Sequence, residues 1–131
     1  MATRPKVRAL LFCDAAVKDR ANGKTTLVGI FDRVIAPSYP ATCGEFVVHS
    51  RLTDLNGSYD FDVVLLAPDL ATVVGRITFR PRVTMKNPLH LLELTATVVG
   101  VRLPAPGRYA VRLMYNGLVA DEFSIEAMEP P

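Results

Sequence analysis

The chain has little of what usually announces chemistry. Only Cys13 and Cys43 are cysteines among 131 residues. Each lies in or beside an apolar segment, without the C-x-x-C spacing or neighbouring His pair of a zinc site. Two reduced thiols are expected, and a disulfide between them only if the chain is exported. Charge is scarce as well: charged residues make up 21% of the chain against an average of about 25%. The 15 basic and 13 acidic side chains give a net charge of +2 and are mixed along the chain, which creates no general pull toward nucleic acid or a membrane. No run approaches the ~18 uncharged apolar residues of a membrane span. "MATRPKVRALLFCD" is too briefly apolar, and too soon followed by Asp14, for a secretory signal. The cytoplasm is the expected location.

A sustained helical period is missing too, and what is present instead is alternation. Half the residues are apolar, and they recur mostly with period two in short runs separated by Gly, Pro, Asn and Asp, the pattern of half-buried antiparallel strands. "KVRALLFC" alternates Val7, Ala9, Leu11 and Cys13 against Lys6 and Arg8. "EFVVHSRLTD" places Phe46, Val48, Ser50 and Leu52 on one face, and "LNG" suggests a hairpin to "SYDFDVVLLA". Asn116-Gly117 marks the clearest hairpin, because both residues accept the positive φ that a tight connection needs. "GSYDFDV" and "GRYAVRL" each set a tyrosine, Tyr59 or Tyr109, at the start of a buried strand face. The spacing predicts one domain over residues 1–131: an all-β, two-sheet antiparallel β-sandwich of immunoglobulin-like type with about eight strands. A chain of this length buries roughly two-thirds of its unfolded surface on folding, enough for one core without metal or disulfide.

Three groups of residues invite a chemical reading. "NGKTTLVGIF" contains Gly23-Lys24-Thr25, but the position where a phosphate loop needs its first glycine is Lys18, and the following residues favour a strand over a helix. The segment reads as a hairpin. Asp14, Asp19 and Asp32 allow a paired-acid or metal site to be imagined, although carboxylates at strand ends are usually solvated. In "RITFRPRVTMK", Arg76, Arg80, Arg82 and Lys86 fall on one face if the strand is continuous. That stripe suits an anionic partner surface, but Phe79 points away from it, so the stacking platform of a single-strand binder is absent. A solvated edge strand guarded by charge and Pro81 is the simpler and preferred explanation.

"LLFCDAAVKDRANGKTTLVGIFDRVIAPSYPA" resembles the opening of a family of small uncharacterised bacterial proteins known only as a domain of unknown function. The likeness continues through the "G-x-Y-x-F" strand at Tyr59 and the closing "PG-x-Y" at Tyr109, with Tyr39 where that family often has Phe. The resemblance implies a compact β-sandwich and no assigned activity. It singles out Asp14, Asp19, Lys24 and Asp32 as a set expected to lock the first hairpin, with Gly29 where another segment crosses closely.

His49 and His90 stand alone and no nucleophile has triad context, so the expectation is a non-enzymatic module without cofactor or metal. Its partner is another protein or a second copy, met through strand edges or an apolar face; nucleic acid and membrane are not expected partners. The alternative is a small-molecule or glycan binder using the loops "SYPATCG" and "VTMKNPLH", with Tyr39 and His90. A metal-dependent hydrolase built on Asp14, Asp19 and Asp32 is the third reading.

Overall fold

The computed structural model describes residues 2–131, and the described chain is all-β, with thirteen strands and no helix. The first half holds β1 (Lys6–Lys18), β2 (Thr25–Phe31), β3 (Arg33–Ile35), β4 (Ala41–Thr42), β5 (Phe46–Thr53) and β6 (Gly57–Tyr59). The second holds β7 (Phe61–Leu66), β8 (Val73–Thr78), β9 (Val83–Met85), β10 (Leu92–Val98), β11 (Arg102–Leu103), β12 (Gly107–Tyr115) and β13 (Leu118–Met128). One main sheet has the order β10-β5-β1-β2 and the other β3-β13-β12-β7-β8, with small ladders β4/β11 and β6/β9 beside them. Both main sheets feed one buried cluster: Phe12, Val48, Leu52 and Leu94 from the first, Val63, Leu65, Val111, Leu113 and Ile125 from the second.

The count exceeds eight because several apolar runs break. "SYDFDVVLLA" divides at Asp60, whose amide donates to Asn116 Oδ1 at 2.8 Å, into β6 and β7. "RITFRPRVTMK" divides into β8 and β9, which lie in different sheets. Pro81 lies between them, without an amide proton to continue a ladder. The "LNG" hairpin is also absent: β5 pairs with β1 and β10, whereas β7 pairs with β12 and β8. That segment carries the chain between the two sheets. The connections through Asn22-Gly23 and Asn116-Gly117 are hairpins, with φ of 71° at Gly23 and of 49° and 80° at Asn116 and Gly117.

Alternation misleads on β1. A register shift between Val7 and Ala9 turns the strand by one residue, as a β-bulge does. Leu10 and Phe12 therefore enter the main cluster and Leu11 does not, while Cys13 is buried outside it.

The long first hairpin does not stay flat. Ala9, Arg51 and Glu93 share one row across β1, β5 and β10, and a straight β1 would carry Lys18 about 30 Å beyond Ala9. Yet Lys18 Nζ lies 3.8 Å from Glu93 Oε1, and Thr25 Oγ1 donates to Glu93 Oε2 at 2.8 Å. The distal half of the hairpin thus curls back across the sheet toward β10. This curl explains why β5 is buried on both faces, with Val47 and His49 as enclosed as Val48 and Ser50.

Candidate functional site

The bend centres on Gly29 and Asp14. Gly29 has φ of 68°, a left-handed conformation costly for residues with a Cβ, and a Cβ there would fall within the Asp14 carboxylate. The glycine thus gives β2 its turn and gives that carboxylate its place. Beyond β2 the first sheet ends. No backbone bond joins Thr25–Phe31 to any strand but β1 among the described residues. Val28 and Ile30 are half-exposed on this edge.

Between β2 and the second sheet the seam is open. Two clefts flank Ile30 and Phe31, one of about 490 Å³ and one of about 570 Å³. The second is floored by Leu10, Phe12, Val111 and Phe123. The first is walled by Phe12, Phe31 and Phe46, whose ring centres lie 5.2 to 6.0 Å apart, with Leu65, Val101 and Ile125 behind them. Edge-to-face and tilted contacts of this kind make a rigid apolar wall. The rim carries Asp14, Glu45, Arg33 and Cys43, whose thiol is pushed above its ordinary pKa by burial. Arg33 Nε sits 3.6 Å from Asp32 Oδ1. The side chains of Asp14 and Glu45 have neither hydrogen bond nor ion pair among the described residues.

The set singled out from sequence is spread over the first hairpin. Asp14 lines the first cleft. Asp19 shapes the hairpin tip, its Oδ1 accepting the Ala21 amide at 2.8 Å and its backbone pairing with Gly23 and Lys24. The Lys24 amide donates to Asn22 Oδ1 at 2.9 Å, and Asp32 stands beyond β2 with Arg33. These carboxylates do not converge, and the described residues hold no group of three His, Cys, Asp or Glu able to hold a metal ion.

The continuous stripe expected from Arg76 to Lys86 is broken between β8 and β9. Arg76 lies 3.4 Å from Asp62 and Arg82 lies 3.7 Å from Asp60, so two of its four cations face carboxylates; Arg80 and Lys86 are exposed. Of the two loops read as ligand sites, "SYPATCG" contributes Cys43 and Gly44 to the first cleft. Tyr39 is occupied elsewhere, its hydroxyl donating to Met128 O at 2.8 Å. His90 is exposed and lies 3.2 Å from Asn87. Both cysteines are free thiols.

Sequence reading missed Glu93. Its carboxylate gathers Thr25, Arg51 at 3.2 Å, Lys18 and His49 Nε2 at 3.6 Å. His49, seemingly isolated in sequence, is enclosed there with Nδ1 3.0 Å from Thr95 Oγ1. Burial pushes its imidazole below the usual pKa, against the Glu93 charge that raises it and with Arg51 that lowers it further. A lone acid inside the otherwise uncharged "LLELTATVV" was the available signal, since an unpaired carboxylate in such a strand is costly.

Residues 8–128 match the Family of unknown function (DUF6941). The chain belongs to that family. It is also similar to large ribosomal subunit protein uL1 from three strains of Streptococcus thermophilus, at 39% identity over 79 residues. The aligned part covers 56% of this chain and 34% of those proteins, so the chain spans about a third of the length of these relatives.

Proposed function

We propose that this family member is a non-enzymatic assembly module that pairs through the free edge of β2 with a second copy of itself. The observation that carries the reading is an outer strand, "TTLVGIF", with seven uncharged residues and with Val28 and Ile30 half-exposed. Soluble proteins normally guard such edges with charge, proline or cover, and an added strand is the common way to satisfy one. Its flanks are self-complementary. An antiparallel pair centred on Val28 sets Lys24 of one copy opposite Asp32 of the other, and opposite charges at such positions favour pairing. The left-handed turn at Gly29 falls one residue from that axis and opposite Leu27. The two sheets fit an immunoglobulin-like sandwich, supported by Tyr59 and Tyr109, whose hydroxyls reach backbone three and four residues upstream in the manner of a tyrosine corner. Free thiols suit a reducing compartment such as the cytoplasm.

Light scattering across the micromolar range tests this: the mass should rise toward a dimer for the wild type and stay monomeric for Ile30→Lys. A wild-type mass that remains monomeric throughout removes the reading.

A second reading rests on the cleft walled by Phe12, Phe31 and Phe46. Its volume falls within the usual range for small-ligand sites, and its wall suits an apolar body better than a sugar. The name of the ribosomal relatives suggests RNA. The basic segment that would serve it has Asp62 3.4 Å from Arg76 and Asp60 3.7 Å from Arg82, carboxylates that lower its net charge as a phosphate-binding surface.

A further inference from the structure

We propose that the cleft beside Gly29 binds a small aromatic ammonium, a cation carried on a flat apolar body. This inference rests on the second reading, that the cleft is a ligand site, and adds the charge its occupant must carry.

The aromatic wall comes first. Phe12 lies tilted against Phe46 at 5.2 Å, and Phe31 meets both edge-on or nearly so, with interplanar angles of 67° and 80°. All three rings line the cleft. A face attracts cations through its quadrupole, and an apolar body gains by leaving water against the same surface.

The rim then sets the sign. Four charged or ionisable groups line the cleft: Asp14, Glu45, Arg33 and Cys43. Arg33 faces Asp32 at 3.6 Å, and the Cys43 thiol is held in its neutral form by burial. Asp14 and Glu45 are left as carboxylates with no cationic partner among the described residues. An incoming cation meets two open acceptors against one arginine that has Asp32 3.6 Å away, whereas an incoming anion meets two like charges.

Gly29 gives the arrangement its specificity. The Asp14 carboxylate rests where a Cβ at residue 29 would stand, so the glycine leaves that side chain room on the rim. Any larger residue would push the carboxylate from its place. An ammonium group hydrogen-bonded to a carboxylate is a strong pairing, and the aromatic wall of the same cleft offers apolar surface to a flat body.

The test uses three isosteres on the full chain: 1-naphthylmethylammonium, 1-naphthalenemethanol and 1-naphthoate. Binding is read by calorimetry and by protection of Cys43 from maleimide; Cys13 is fully buried. The ammonium should bind best and slow Cys43 alkylation, while the alcohol binds more weakly and the naphthoate not at all. Asp14→Asn should weaken the ammonium about tenfold, the loss expected for a charge-assisted hydrogen bond, and leave the alcohol unchanged. Glu45→Gln should act the same way to a smaller degree. An alcohol or naphthoate that binds as well as the ammonium overturns the charge assignment while leaving the cleft as a ligand site. If none of the three binds or protects Cys43, the cleft reading itself falls, and this inference with it.

Discussion

Tyr109 is closed off from solvent, and its hydroxyl both donates to Ala105 O at 2.6 Å and accepts the Ala105 amide at 3.2 Å. Tyr59 is equally enclosed: its hydroxyl donates to Thr3 O at 2.7 Å and accepts the Asn56 amide at 3.0 Å. Removing either hydroxyl strands buried backbone groups, so Tyr109→Phe should lose about 1–2 kcal/mol in urea unfolding. Tyr59→Phe should lose less, because Thr3 Oγ1 also accepts the Asn56 amide. These tyrosines were legible in the sequence, since a buried phenol at a strand start needs a nearby partner. His49 was not, because its partners Thr95 and Glu93 lie more than forty residues away. Its consequence is a pH dependence. Burial lowers its pKa below the ordinary 6.5, so the unfolded chain binds the proton more readily. Stability is therefore fully present above about pH 6.5 and is lost as pH falls from there through the lower folded value. The urea midpoint should drop over that window in the wild type, and His49→Gln should flatten the drop.

Among elements, the first hairpin shows what alternation can and cannot reveal. Its turn at Asn22-Gly23 was readable because few residues tolerate positive φ. Its inward face was not, because a bulge between Val7 and Ala9 changes which residues meet the core. Its curl was hidden as well, since nothing local says that Lys18 and Thr25 will meet Glu93. The basic stripe failed for a related reason: period two describes a continuous strand, and Pro81 interrupts this one. Two substitutions probe the curl. Gly29→Ala must hold a side chain at φ of 68° and displace Asp14, and should destabilise the fold by about 1–3 kcal/mol. Glu93→Ala should leave β12 and β13 protected from hydrogen exchange while the amides of residues 15–28 exchange faster. Equal acceleration everywhere in that variant would mean that Glu93 supports the whole fold instead of fastening one hairpin.

For the molecule as a whole, the sequence disclosed the class and not the surface. The proposed pairing surface comprises the exposed side chains of Val28 and Ile30 on β2, with Ile35 just beyond it on β3. If β2 pairs as proposed, its backbone edge is covered in the assembled state. The most direct measurement is amide hydrogen exchange at β2 as a function of protein concentration. The expected result is that amides of Thr25–Phe31 gain protection as concentration rises, at fixed pH and temperature, while those of the β12–β13 hairpin do not change. Exchange at β2 that is fast and independent of concentration would contradict the account.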